Sequence, residues 1–115
     1  MKKGDDLRAR VFQFACDVVA LSDQLERRGW SARKIGGQLL RAGTSIGANL
    51  EEADAAQSRA DFISKCTISL KEARESHYWL RLLRATNKLG GDERLLGESN
   101  ELVAILTTIV RKASV

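Results

Sequence analysis

Four stripes of apolar residues, stepping alternately by three and four and parted by short breaks, run through a chain that contains no proline. That spacing is the seam of a bundle helix, and no proline kinks or breaks a stripe. The first stripe is Leu7, Val11, Phe14, Val18, Leu21 and Leu25. The second is Ile35, Leu39, Ala42, Ile46, Asn49, Ala53 and Ala56, with the polar Asn49 inside the rhythm. Phe62, Cys66, Ser69, Ala73, Ser76, Leu80 and Leu83 make the third, and Leu95, Ser99, Leu102, Leu106 and Ile109 the fourth. The stripes predict helices over about 6–28, 32–57, 59–89 and 93–113, within a single domain spanning 1–115. Links this short force neighbouring helices to run antiparallel, so the expected fold is all-α, an up-down-up-down four-helix bundle.

The breaks carry their own signals. Asp5 or Asp6 is the expected cap of the first helix, and Arg27, Arg28 and Gly29 suit its end, cations for the helix dipole and glycine for the left-handed position. Ser31 is the expected N-cap of the second helix, which puts Trp30 and Ile35 at the two positions of a hydrophobic staple. Ser58, followed three residues later by Asp61, resembles a capping box. Gly90-Gly91 stops the third helix, and Asp92 is the expected cap of the fourth. Gly97 and the Ser99-Asn100 pair predict fraying or a break in its first turns. Gly43 and Gly47 share a face and predict close approach of a neighbouring helix.

Composition narrows function by exclusion. Nineteen Lys and Arg against fifteen Asp and Glu leave a net charge of +4, an excess that permits nucleic acid or an acidic partner without demanding either. No run of about 18 uncharged apolar residues exists, so no membrane span is expected. The opening Met1-Lys2-Lys3-Gly4-Asp5-Asp6 is not an apolar signal core, and the expected compartment is the cytoplasm. Cys16 and Cys66 both fall in apolar patterns, where a free thiol acts as a small hydrophobe, and no disulfide is expected there. A bundle di-iron site needs two Glu-x-x-His elements, but His77 is the chain's one histidine and Arg74 stands three residues before it. No zinc spacing, phosphate loop or nucleophile elbow appears. No enzyme, metal or cofactor is expected.

Three constellations remain. His77, Tyr78, Trp79, Leu80, Leu82 and Leu83 are apolar or aromatic around most of the third helix, more than one seam buries. Either Tyr78 and Trp79 sit at seam edges with polar tips in water, or Tyr78, Trp79 and Leu82 form a second face that packs against another subunit. Gln38, Arg41, Ser45, Asn49 and Glu52 make a polar ladder on the second helix. It reads either as register-fixing hydrogen bonds with a solvated edge or as the lining of a groove for a polar ligand. At one pole, where the first helix ends and the fourth begins, lie Arg27, Arg28, Arg33, Lys34, Arg81, Arg84 and Lys88. Arg74 extends that set as a stripe beside Tyr78 and Trp79. Basic residues beside aromatics suit single-stranded nucleic acid, although Arg27, Arg28 and Lys88 equally suit helix dipoles.

From Arg41 to Leu83 the chain resembles the four helix bundle protein family, which includes proteins encoded in intervening sequences of bacterial large-subunit ribosomal RNA genes. Gln38, Arg41, Ser45-Ile46-Gly47-Ala48-Asn49 and Glu52 match its second-helix pattern, and Phe62, Ser69-Leu70 and Glu72 its third. Weaker similarity covers the remainder. The resemblance implies a ring-like homopentamer and brings no catalytic residue with it. It extends to the accessory protein of diversity-generating retroelements, a pentamer whose basic surface contacts nucleic acid and reverse transcriptase. The expected function is therefore a non-enzymatic oligomer that binds RNA or single-stranded DNA. The alternative is a scaffold or adaptor for a protein partner such as a reverse transcriptase.

Overall fold

Each stripe forms a helix: α1 spans Lys3–Leu25, α2 Trp30–Asp54, α3 Arg59–Ala85 and α4 Arg94–Ala113. The computed structural model describes residues 3–91 and 93–115, with side chains from Asp6 onward, and holds no strand among them. α1 packs on α2 and α4, α3 packs on the same two, and α1 and α3 stand diagonally across the bundle. The up-down-up-down order makes a rod of 45 × 22 × 22 Å, one helix long.

All six residues of the first stripe are buried. They meet α2 through glycine. A Cβ on Gly43 would stand 3.0 Å from both methyls of Val18, one on Gly47 3.1 Å from Val11 Cγ1, and one on Gly36 3.2 Å from Leu25 Cδ1. Val11, Val18 and Leu25 thus seat in successive glycine-floored holes, which fixes the antiparallel register of α1 on α2. Each glycine costs about 1 kcal/mol of helix propensity against alanine, and the close packing it permits offsets that cost. On α2 the core line passes through Leu50, leaving Asn49 half-buried. Between α2 and α3 the contact uses small residues, and the buried Ser69 hydroxyl donates to Ile46 O at 2.9 Å.

Several ends differ from expectation. α1 is already helical at Lys3, so Asp6 lies in its first turn and does not cap it. α2 begins two residues early: Gly29, at φ 110°, is its N-cap, Ser31 lies inside the helix, and Trp30 is exposed and not stapled to Ile35. Ser58 does cap α3, its Oγ accepting from Asp61 N at 3.0 Å. α3 ends at Ala85, before Gly90, because Asn87 adopts φ 63° and closes a Schellman motif. Lys88 N donates to Leu83 O at 2.8 Å and Asn87 N to Arg84 O at 3.0 Å. The cap expected at Asp92 lies outside the described residues. α4 runs unbroken through Gly97 because Leu95, Leu96, Ser99 and Leu102 are all buried, and that packing outweighs weak local propensity.

Candidate nucleic-acid interface

The pole where α1 ends gathers seven cations, and the structure sorts them by whether their charge is engaged. Arg28 is a strut. Its Nη1 donates to Lys88 O at 3.2 Å and Leu89 O at 3.1 Å, and Nη2 to Gln24 Oε1 at 3.2 Å. It therefore ties the end of α1 to the link between α3 and α4. Arg84 pairs with Glu93 at 3.1 Å, but both side chains are more than half exposed, so that bridge is weak and readily exchanged. Arg94 pairs with Asp17 at 3.1 Å. Arg27, Arg33 and Lys34 are exposed, Lys88 is half-buried, and none of these four makes an ion pair among the described residues. Trp30 stands 68% exposed among them, with Lys34 Nζ 5.9 Å from its ring centroid. An exposed indole beside cations that make no ion pair among the described residues has the chemistry that base stacking and phosphate contact use.

The second basic element is the outer face of α3. Arg74, Tyr78 and Arg81 step by four and three, and Lys71 extends the line toward the other pole; all four are exposed. Tyr78 is 50% exposed and meets Trp79 edge-on, centroids 5.2 Å apart at 70°. The three residues expected to share a subunit interface do not share one environment. Trp79 is packed against the bundle's own core, its Nε1 buried without a hydrogen-bond partner among the described residues, and Leu82 is half-buried. Only Tyr78 projects freely.

The polar ladder binds mostly to its own helix. Asn49 Nδ2 donates to Ser45 O at 2.8 Å and Ser45 Oγ to Arg41 O at 2.6 Å. Its cross-helix tie is Arg41, which pairs with Glu72 at 2.8 Å and with Glu75 on α3. Gln38 and Glu52 are exposed, so these five residues line no cavity together. A 540 Å³ cleft lies instead between α1 and α4 at the opposite pole, walled by Leu7, Leu50, Phe62, Cys66, Ile105 and Ile109. Burial pushes the Cys66 thiol up from its ordinary pKa. Cys16, expected in the core, is exposed, one step off the seam; both thiols are free. His77 Nδ1 lies 2.9 Å from Ser99 Oγ. Burial, then the charges of Arg81 and Arg84, hold its pKa below the ordinary value. Among the described residues no cluster of three His, Cys, Asp or Glu side chains is placed to hold a metal ion, and no helix is long and apolar enough to cross a membrane.

A family model described as 23S rRNA-intervening sequence protein matches residues 6–108, all four helices up to the last turn of α4. The chain belongs to that family. A solved structure similar to it is a protein of unknown function from the S23 ribosomal protein family of Bacteroides thetaiotaomicron. The two are 39% identical over 96% of this chain and 99% of that one, with a TM-score of 0.84. No curated protein matches. The family match thus covers nearly the whole bundle, and the similar solved structure is described as of unknown function. Sequence reading missed Trp30 and Lys71. Trp30 was taken for a staple; the signal was its place directly after Gly29, which caps without a side chain and so lets the helix start two residues sooner.

Proposed function

We propose that this member of the intervening-sequence family is a non-enzymatic homo-oligomer that binds single-stranded nucleic acid, RNA or DNA, through its basic pole. The observation that carries the reading is Trp30, 68% exposed beside Lys34 and flanked by Arg27 and Arg33, whose charges no carboxylate engages. An exposed indole offers a flat apolar face, and every base offers it a π-face irrespective of sequence. Arg84 and Lys88 widen the footprint from the α3 side, and Arg28 holds the two halves of the pole together. The expected binding is sequence-tolerant and salt-sensitive.

The test is fluorescence anisotropy of a labelled single-stranded oligoribonucleotide near 50 mM salt. Trp30→Ala is expected to weaken binding by about 1–3 kcal/mol, the worth of one stacked base. Arg33→Glu with Lys34→Glu is expected to abolish it, with helix content unchanged because both side chains are exposed. Wild-type protein that shows no binding, or variants that bind equally well, would favour the scaffold reading.

A further inference from the structure

α1 carries a second apolar line that its own bundle leaves uncovered. Ala9, Phe12, Cys16 and Val19 step by three, four and three, the rhythm of the inner seam, yet all four are exposed, Phe12 at 68% and Val19 at 45%. A helix apolar on two sides calls for cover on both. Toward the basic pole the same side turns acidic at Asp23 and Glu26, both exposed and without an ion pair among the described residues. α3 stands diagonally across the bundle, so its outer face points the opposite way. That face has the complementary character: Arg74 and Arg81 flank the exposed Tyr78, and Ile68 is exposed nearer the other pole.

The heights along the rod agree as well. Leu25 of α1 faces Gly36 of α2, and Ile46 of α2 accepts a hydrogen bond from Ser69 of α3. Counting back along antiparallel α3 at equal rise per residue, Leu25 is level with roughly residue 79. Asp23 and Glu26 are then level with roughly residues 77 and 80, within one turn of Arg74 and Arg81. Phe12 is level with roughly residue 66, within one turn of Ile68. We infer that the outer face of α1 in one copy docks against the outer face of α3 in a second copy. Asp23 and Glu26 pair with Arg74 and Arg81, and Phe12 packs on Ile68. Two different faces on opposite sides make a head-to-tail contact, which propagates into a closed ring or an open filament. The contact covers the α3 strip and leaves the basic pole open. It rests on the homo-oligomer reading and specifies its surface.

Sedimentation velocity and light scattering on the full chain test it, with circular dichroism as the check on folding. Wild type is expected to be assembled at micromolar concentration. Asp23→Lys with Glu26→Lys, and separately Arg74→Glu with Arg81→Glu, are expected to raise the concentration for half-assembly roughly tenfold or more, since each sets like charges against each other. All four substitutions together restore opposite charge and are expected to restore assembly. Phe12→Ser, which keeps every charge, is expected to weaken assembly in the same way. An assembled wild type whose two reversal variants both stay assembled places the contact on another face and overturns the inference while the oligomer reading stands. A wild-type monomer overturns both. If Arg74→Glu with Arg81→Glu loses RNA but keeps its assembly, the strip is a nucleic-acid track, and the inference fails there too.

Discussion

Neighbouring glycines of α2 do opposite things, and the difference sets the first prediction. Gly37 has nothing within 4 Å of an added Cβ, whereas Gly43 sits against both methyls of Val18. Gly37→Ala should therefore raise stability by about 0.5–1 kcal/mol through helix propensity and a stiffer unfolded chain. Gly43→Val should lower it by about 1–3 kcal/mol through overpacking. Urea unfolding separates them, and a Gly43→Val protein as stable as wild type would mean that α1 and α2 do not approach as described. His77 gives a pH dependence. Its folded pKa is depressed, so below about pH 6.5, the unfolded value, the unfolded chain binds more protons than the folded one. Stability should be fully present above that pH and fall as pH drops through the window beneath it. Unfolding curves at successive pH values should show this slope in wild type and a flatter one in His77→Gln; equal slopes would show that His77 is not held neutral.

Elements are held at their ends by devices that differ in how openly the sequence displays them. Ser58→Ala should cost α3 about 1 kcal/mol, the usual worth of an N-cap, and thermal unfolding measures it. Asn87→Val should cost more than Asn87→Gly, because a β-branched residue resists the positive φ that closes the Schellman motif. Comparable melting temperatures for these two would place the end of α3 elsewhere. Ser58 was legible because a hydroxyl followed by a first-turn acid is a local pattern. Asn87 was not, since two glycines three residues on gave the louder stop signal. Gly29 was overlooked as a cap because it works through backbone conformation alone, which displaced Trp30 from surface to staple. Gly97 looked like a break, yet its helix is pinned by Leu95, Leu96 and Leu102, contacts that no local window contains. Cys16 read as apolar packing because Ala15, Val18 and Val19 stand around it in the sequence; only the structure separates the inner seam from the outer line at Ala9, Phe12, Cys16 and Val19.

At the scale of the whole molecule, topology turns scattered charges into a surface. Four stripes and three short links were enough to predict a basic pole, because up-down order brings residues near 28, 33, 84 and 88 to one end. Which of those cations are engaged was not legible. Arg28 is used up by carbonyls about sixty residues away, while Arg84 shares only an exposed, readily exchanged bridge with Glu93 across a turn whose geometry Asn87 sets. What remains without an ion pair among the described residues is Arg27, Arg33, Lys34 and Lys88, at the pole that carries Trp30, and the claim that this pole holds a single strand yields a number. Each phosphate contact on a single strand contributes about −0.7 to the slope of log K against log salt, so four contacts predict a slope near −3. The most direct test is anisotropy of a labelled single-stranded RNA across about 50 to 200 mM salt, for wild type and for Arg33→Gln with Lys34→Gln. Binding with a wild-type slope near −3, shallower by roughly 1.4 in the variant, is the expected result. Binding that is absent at the lowest salt, or a slope that both proteins share, would contradict the account.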